Sequence, residues 1–357
     1  MKRRNTIVMS FVLMAMVLAL IACNTENDGV FKRISESVER EVVGAVTLIM
    51  FDGNNDLIAH TKIEGIMTYD LSDKKWIPLI DQEDDLAVLD TKRRDIFDNM
   101  VASDVNENTL YFATSGSDTY NTSLFAYDST TTPPYTASDL NDSYQIKAMS
   151  PQADLMVVYD DDSVKFNVYK PSVVMGGGPL SLIMYTAFAY EQINLLAIDV
   201  DTFLITGYDA EKATYNHVFY DDDSIKVTNL GDLSPNSMIV AMHKSNSVYI
   251  FIANNGKIYY GADLENLTEA TSTLPLPDTN MAFRTLPVLS DGTDVYVQGA
   301  NKRIYQIATT DGSYTDASSQ FSSTITNVEI HSFLSDSDGT NHYVGTKGHG
   351  IMEMVFP

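Results

Sequence analysis

Hydrophobic and polar residues alternate in short runs along most of the chain, and polar turns separate these runs. Typical runs lie at residues 110–114 and 123–128, where aromatic and aliphatic residues stand between clusters of Asn, Asp, Ser and Gly. Alternation over about four to eight residues between such clusters predicts β-strands. The best helix candidate is 31–41, with three apolar residues near one face. The pattern therefore predicts a nearly all-β chain.

A unit of about 47 residues repeats along this chain. The sequence SDGTDVYV at 290–297 recurs as SDGTNHYV at 337–344, an offset of 47. Earlier copies are weaker, but each contains two or three clear strands followed by a more polar segment. Matching positions in the seven copies lie 44 to 53 residues apart and are Leu57, Leu110, Leu155, Leu204, Val248, Val295 and His342.

The repeat predicts the fold. Four strands in about 40 to 50 residues are typical of one blade of a β-propeller. A single four-stranded sheet cannot bury both of its faces, so the copies must stack around an axis. Seven units of this size account for nearly all of residues 31–357. We therefore predict an all-β, seven-bladed β-propeller, with a six- or eight-bladed ring or two stacked β-sandwiches as alternatives.

The last copy ends after its third strand, so closing the ring requires a strand from elsewhere in the chain. The segment 31–43 precedes the first copy and is not used by it. We expect part of this segment to form the outermost strand of the last blade. Its removal should then lower the melting temperature sharply. The turn at 345–351, GTKGHGI, resembles a glycine-threonine turn of propeller repeats in bacterial sensor ectodomains, which implies a fold and not an activity.

The first 22 residues have the pattern of a secretory signal. Lys2, Arg3 and Arg4 precede a 16-residue apolar run at 7–22, in which Ser10 is the one polar member. A membrane-spanning helix needs about 20 apolar residues, so this run is short for a span and suits the core of a signal peptide.

The apolar run leads into Leu20-Ile21-Ala22-Cys23, which resembles the lipobox of bacterial lipoproteins. The resemblance implies that Cys23, the one cysteine of the chain, carries acyl chains that attach the protein to a membrane. Residues 23–30 would then be a tether and 31–357 the propeller. An ordinary signal with a chance cysteine is the alternative. Asn24 does not match the Asp-type retention signal of some lipoproteins, which favours the outer membrane.

The charge balance limits the partners. The chain has 23 Lys and Arg against 48 Asp and Glu, a net charge of −25. Such an acidic protein lacks the general basic surface that nucleic-acid binding requires. A single cysteine also excludes a disulfide framework and a multi-cysteine metal cluster. We expect attachment to the membrane through lipid, and no nucleic-acid partner.

Basic residues in the last third of the chain have an uneven distribution. Only six Lys or Arg follow Val227, and four of them fall in the turn between the second and third strands of three consecutive copies. These turns project from one end of a propeller, so we expect them to form a basic arc on an acidic body. It would suit an anionic or polar ligand, or an acidic patch of a partner protein; alternatively, exposed turns contain Lys and Asn merely for solubility. The basic arc consists of Lys257, Lys302, Arg303, Lys347 and His349.

Two acidic turns, YDDDSVK at 159–165 and YDDDSIK at 220–226, invite a calcium interpretation. Their offset of 61 is not a multiple of the repeat, and the strand map places them at opposite ends of the ring, so we interpret them as hairpin turns. The six histidines have no metal-site spacing, and no nucleophile motif occurs. We therefore predict no catalytic residues, metal or cofactor. The first hypothesis is a non-enzymatic binding module or scaffold of the cell envelope; the alternative is a glycan-acting hydrolase with carboxylates at the propeller mouth.

Overall fold

The computed structural model describes the strands of the first part of the chain and most of the second part. The described residues are 46–51, 57–61, 65–70, 75–78, 101–104, 109–113, 123–127, 135–139, 144–150, 153–160, 162–163, 165–175, 184–186, 192–209, 211–221, 228–229, 233–245, 247–264, 266–277, 285–335 and 339–357.

These residues form seven antiparallel sheets, here called blades 1 to 7 in chain order. Blade 1 contains β1 (Val46–Phe51), β2 (Leu57–Thr61), β3 (Gly65–Asp70) and β4 (Lys75–Pro78). Blade 2 contains β5 (Val101–Asp104), β6 (Thr109–Ala113), β7 (Ser123–Tyr127) and β8 (Tyr135–Asp139). Blade 3 contains β9 (Tyr144–Met149), β10 (Met156–Asp160), β11 (Lys165–Tyr169) and β12 (Met184–Thr186). Blade 4 contains β13 (Gln192–Asp199), β14 (Thr202–Asp209), β15 (Thr214–Asp221) and β16 (Thr228–Asn229).

The last three blades follow the same plan. Blade 5 contains β17 (Ile239–Ser245), β18 (Val248–Ala253), β19 (Lys257–Gly261) and β20 (Thr268–Thr273). Blade 6 contains β21 (Val288–Ser290), β22 (Val295–Gln298), β23 (Ile304–Ile307) and β24 (Tyr314–Asp316). Blade 7 contains β25 (Ile330–Ser335), β26 (His342–Thr346) and β27 (Ile351–Met354). The described helices are short: α1 (Pro171–Met175), α2 (Ser323–Thr326) and 3-10 turns at Ala300–Lys302 and Ser318–Gln320.

Every blade is a meander in which each strand pairs with the next along the chain. The first strand of a blade lies innermost, because β13 contacts both β9 and β17, and β1 contacts β25. The seven repeated positions found in the sequence all lie in, or directly before, the second strand of a blade. The prediction of an all-β propeller is therefore confirmed.

The ring is closed by direct contact between the first and last blades. The hydroxyl of Ser332 on β25 donates to the backbone oxygen of Val46 on β1 over 2.8 Å. Gly345 fits against the same residue, since an added Cβ would lie 2.6 Å from a methyl carbon of Val46. Larger residues at Gly345 would push the two blades apart.

The hydrophobic core lies between neighbouring blades. One cluster joins Leu48 of blade 1 to Phe112 of blade 2, and another joins Phe219 of blade 4 to Phe251 of blade 5. All four side chains are almost fully buried. Burial of one such side chain stabilises the fold by about 1.5 to 3 kcal/mol, so packing between neighbouring blades contributes to the stability of the ring.

Polar side chains also link the blades, at the free backbone groups of the innermost strands. The amide of Asn194 donates to the oxygen of Ile239 over 3.2 Å. The Gln298 amide donates to the oxygen of Val328 over 2.9 Å and accepts from the nitrogen of Ile330 over 2.8 Å. Buried backbone groups need such partners because water cannot reach them.

The signal at 1–22, Cys23, the tether and the expected closing segment 31–43 lie outside the described residues. Within the described part of the chain, no helix is long and apolar enough to cross a membrane.

Candidate functional site

The meander fixes which turns share an end of the ring. Because successive strands run in opposite directions, the turns between second and third strands lie at the same end as the connections between one blade and the next. We call this the connection end. The structure places all five residues of the basic arc there, in blades 5 to 7.

A backbone hydrogen bond holds each of these turns in place in three successive blades. The backbone nitrogen of Asn254 donates to the oxygen of Met238 over 2.8 Å, and that of Ala300 donates to Pro275 over 2.7 Å. In blade 7, the nitrogen of Lys347 donates to the oxygen of Glu329 over 2.9 Å. Each turn is thus tied to the connection that leads into its own blade. In blades 5 and 7 the acceptor directly precedes the first strand, whereas in blade 6 Pro275 lies close to the end of β20. The three turns of the basic arc are therefore fixed to described segments at the connection end.

The blade 5 turn depends on a glycine. Gly256 has a φ of +84°, and a Cβ there would lie 2.1 Å from the backbone oxygen of Leu274. The Asn255 amide donates to the Ser237 hydroxyl over 2.6 Å, which adds a second link to the connection. At the end of the turn, the ammonium of Lys257 lies 2.6 Å from the Glu269 carboxylate.

The blade 6 turn has a backbone that favours glycine but contains none at its centre. Asn301 and Lys302 have φ values of 57° and 61°, in the left-handed region. The Lys302 ammonium donates to the backbone oxygen of Asn327 over 2.6 Å. Asn327 directly follows the last residue of α2, so the Lys302 ammonium provides a donor for a backbone oxygen at the end of this short helix. Arg303 forms an ion pair with Asp316.

The blade 7 turn contains the loosest ion pair of the basic arc. Lys347 lies 3.8 Å from one oxygen of Glu329, and the other oxygen lies 3.1 Å from Nε2 of His331. Gly348 has a φ of +80°. His349 is exposed beside it. Glu329 and His331 therefore belong to the surroundings of the arc, although the sequence analysis did not select them.

Electrostatics in the arc are local. The hydrogen bond to Glu269 raises the pKa of Lys257, and hydrogen bonds from Ser318, followed by Arg303, lower the pKa of Asp316. The side chains of these two pairs are 36–59% exposed, so water and salt weaken the pairs. Sequence reasoning located the cations but missed their carboxylate partners. The signal was present in the polar fourth segments, where Glu269 and Asp316 follow Lys257 and Arg303 by 12 and 13 residues.

The acidic turn of blade 3 has the local hydrogen bonds of a hairpin turn. Asp160 accepts from the backbone nitrogen of Asp162 over 3.0 Å and from the Ser163 hydroxyl over 2.7 Å. Its carboxylate thus orders its own turn. The similar motif at 220–226 begins with the last two residues of β15, Tyr220 and Asp221, which lie at the end opposite to the connection end, and its other residues lie outside the described residues. In the described part of the chain, no cluster of three His, Cys, Asp or Glu could hold a metal ion.

Three histidines in different blades share a buried contact with a hydroxyl group. Nδ1 of His60 lies 2.6 Å from the Thr47 hydroxyl, and Nδ1 of His217 lies 3.0 Å from the Thr206 hydroxyl. Nδ1 of His342 lies 2.8 Å from the Ser335 hydroxyl. Nε2 of His217 faces the backbone oxygen of Ser234 at 3.2 Å. A carbonyl only accepts, so the His217 proton is on Nε2 and Thr206 donates to Nδ1. Burial lowers the pKa of His60 to about 3 and that of His217 to about 4.

Comparisons with known proteins support the assignment of the fold. No known protein family and no curated protein matches the sequence. The extracellular domain of the one-component system BT4673 from B. thetaiotaomicron is similar in structure, with a TM-score of 0.53, 13% identity, and 88% of this chain and 38% of that one covered. The Niastella koreensis GH74 enzyme has a TM-score of 0.56 and 15% identity, with 89% of this chain and 53% of that one covered. The computationally designed Ika8 protein has a TM-score of 0.50 and 12% identity, with 87% of this chain and 83% of that one covered.

At these identities the similarity concerns the fold alone. The chain is a β-propeller, and it spans well under half of the BT4673 domain and about half of the GH74 enzyme. Neither similarity transfers an activity or a ligand, so the function has to be argued from the residues of this chain.

Proposed function

We propose that this chain is a non-enzymatic binding module or scaffold of the cell envelope, attached to a membrane through Cys23, which docks another protein or a polar ligand on the basic arc. The supporting observation is that each turn of the arc in blades 5, 6 and 7 donates a backbone hydrogen bond to the connection that leads into its blade. These bonds hold the turns of the arc on fixed segments. A surface that is already ordered loses little conformational entropy when it binds.

The chemistry of the arc suits an anionic or amide-rich partner. Lys302, Arg303 and Lys347 are exposed cations on a chain of net charge −25, and Asn254 and Asn255 add amide groups in the neighbouring turn. A local patch of opposite sign on an acidic body attracts anionic groups and orients them. The competing interpretation is that the arc only stabilises its own blades through ion pairs.

Location rests on the amino terminus. The lipobox-like sequence before Cys23 supports a lipid anchor, with the outer membrane favoured by Asn24. The BT4673 domain is extracellular by its description, which agrees with an exported propeller.

The alternative function is a glycan-acting hydrolase, and the GH74 enzyme is a structural neighbour of that kind. It would need carboxyl groups with a raised pKa that converge at the mouth of the ring. Among the described residues, the carboxyl groups with a shifted pKa are Asp209, Asp311 and Asp316, and hydrogen bonds lower the pKa of each. No specific observation favours the hydrolase.

The test is an affinity capture from native membranes with the tagged full-length chain. Charge reversal of Lys302 and Arg303 together, and of Lys347 alone, should abolish capture of a partner. Lys347→Glu is the gentler variant because its ion pair is the longest, at 3.8 Å. The control is Lys244→Glu, at the end of β17 away from the connection end, with melting temperatures checked for all. Retention of the partner by both arc variants, or its equal loss with Lys244→Glu, contradicts the proposal.

A further inference from the structure

The gap between blades 3 and 4 contains a buried amide group without a partner. The side-chain nitrogen of Asn216 on β15 is buried and has no hydrogen-bond partner in the part of the chain that the structure describes. An amide nitrogen only donates, so the group that is lacking is an acceptor. A buried donor without an acceptor is unfavourable and indicates a ligand or an ordered water molecule at that position.

Asn216 faces blade 3 near the connection end. It pairs with Gly207, which pairs with Ile193, and paired residues of neighbouring strands share a face of the sheet. Ile193, and Val218 two residues after Asn216, both belong to the hydrophobic cluster that blade 4 shares with blade 3. Gly207 has no side chain, which leaves room on this face beside the amide. Asn216 is the third residue of β15, and β15 begins at the connection end.

Blade 3 presents a lysine and a tyrosine on the opposing face. Tyr159 packs against the same hydrophobic cluster and is the last residue but one of β10, which ends at the connection end. The ammonium of Lys147 lies 5.8 Å from the centre of the Tyr159 ring. It also donates to the side-chain oxygen of Gln145 over 2.5 Å, and Gln145 pairs with Tyr159. These contacts hold the positive charge on the side of blade 3 that faces Asn216.

Two carboxylates lie close to this gap along the strands, and both order their own turns. Asp209, at the end of β14, accepts from the Lys212 ammonium over 2.8 Å and from the backbone nitrogens of residues 211 and 212. Asp160 pairs with Lys165 on the other face of β10 and accepts from the backbone nitrogen of Asp162. The side chain of Lys212 is 62% exposed, which adds a second cation at the entrance. The gap therefore favours an acceptor that carries a negative charge.

We propose that the gap between blades 3 and 4 at the connection end is a further binding site, which takes a small ligand through its carboxylate group. One carboxylate oxygen accepts from the Asn216 amide and the other from the Lys147 ammonium. An ammonium has three donors, of which the contact with Gln145 uses one. The site lies in blades 3 and 4, away from the basic arc of blades 5 to 7, so the proposal goes beyond the binding function and does not depend on it.

The chemistry selects a carboxylate among the common anions. The two protein groups are both donors, and one of them is charged, so they match two oxygens that share one negative charge. A hydrogen bond between charged groups is about twice as strong as a neutral one, which makes Lys147 the stronger of the two contacts. A phosphate has more oxygens and more charge than one ammonium and one amide satisfy.

The first test concerns the Asn216 amide in the absence of ligand. Asn216→Leu removes a donor without a partner, so the melting temperature of the detergent-solubilised full-length chain should stay the same or rise. Asn194→Leu is the matched control on the other face of the same sheet, because the Asn194 amide donates to the Ile239 oxygen over 3.2 Å and its loss should lower the melting temperature. Equal decreases in the two variants would show that the Asn216 amide has a partner within the protein, and would overturn the proposal.

The second test uses acetate, lactate and glucuronate as probes, titrated at constant ionic strength against chloride. A ligand that binds the folded state alone raises the melting temperature as its concentration increases. We expect at least one probe to do so for the parent chain, with an affinity that falls about tenfold or more in Asn216→Leu and in Lys147→Met. Lys244→Met is the matched control and should bind as the parent does, because Lys244 also lies over a tyrosine ring, 4.7 Å from the centre of Tyr249, at the other end of the propeller.

Four results would overturn the proposal. The first is the absence of a shift with all three probes, and the second is an equal loss of affinity in Lys244→Met. The third is an unchanged affinity in Asn216→Leu, which is the result expected if a water molecule accepts from the amide. The fourth is a shift with inorganic phosphate that equals the best carboxylate and disappears in Asn216→Leu and Lys147→Met, because the site would then take anions in general.

Discussion

The buried histidine of blade 1 predicts an acid-sensitive stability. His60 is fully buried between β1 and β3, where it lies opposite Leu48 and Ile66. Its Nδ1 has Thr47 as partner, but its Nε2 is buried without a hydrogen-bond partner in the structure. Charging this ring would place a cation among apolar side chains, which is why burial lowers its pKa from 6.5 to about 3.

The sign follows from proton uptake. Between pH 6.5 and 3 the unfolded chain protonates His60 and the folded chain does not, so the unfolded state binds more protons. The free energy of unfolding therefore falls as the pH falls through this window, and the contribution is fully present above it. From pH 7 to pH 5 the loss is about 2 kcal/mol, because each unit of pH within the window is worth about 1.4 kcal/mol.

Urea denaturation of the detergent-solubilised full-length chain at pH 7 and pH 5 measures this loss. His60→Leu, which cannot be protonated, should reduce the difference between the two pH values by about 2 kcal/mol. The comparison uses slopes with pH, so an overall change in stability does not obscure it. His349→Gln, at the exposed turn of blade 7, should leave the difference as in the parent. If His60→Leu loses as much stability as the parent between pH 7 and pH 5, the reasoning is refuted.

Three further predictions concern the turns, the links between blades and the anchor. Gly256→Ala should lower the free energy of unfolding by about 1 to 3 kcal/mol, because the added Cβ clashes with the Leu274 oxygen and the residue has a positive φ. Gly292→Ala is the control, since Gly292 has a φ of +89° but open space around it, so this variant measures the backbone strain alone. Equal losses of stability in the two variants would contradict the clash. Gln298→Leu should cost about 1 to 3 kcal/mol, since two buried backbone groups lose their partner; an unchanged urea midpoint would show that the link is dispensable. Cys23→Ala should release the protein from membranes, and mass spectrometry of the parent should find an acylated amino terminus; an unmodified terminus excludes the anchor.

Much of the fold was predictable because strand positions follow from local alternation and from the repeat. The repeated positions located the second strand of each blade even where the residue changed, as at His342. The alternation of hydrophobic and polar residues involves only residues close together in the chain, so it can be recognised in a single sequence. The helix α2 lies in the connection before blade 7 and was not predicted, because four residues contain no periodic signal.

The sequence predicts where the cations of the basic arc lie but not which groups they pair with. The turns that carry Lys257 and Arg303 follow from the strand order, which a repeat defines. Their carboxylate partners depend on hairpin register and side-chain reach. The contact between Lys302 and Asn327 spans 25 residues and relies on a left-handed backbone at a lysine, which the sequence alone disfavours.

The ion pairs of the basic arc have a consequence for any ligand that would bind there. A carboxylate that approaches Lys257, Arg303 or Lys347 has to compete with Glu269, Asp316 or Glu329 for the same cation. Such an exchange replaces one contact with an equivalent one, so a monovalent anion gains little by it. A polyvalent ligand, which displaces several internal carboxylates at once, benefits from the high effective concentration of its remaining groups. If the basic arc binds a ligand as proposed, we expect it to favour extended polyvalent anions over small monovalent ones.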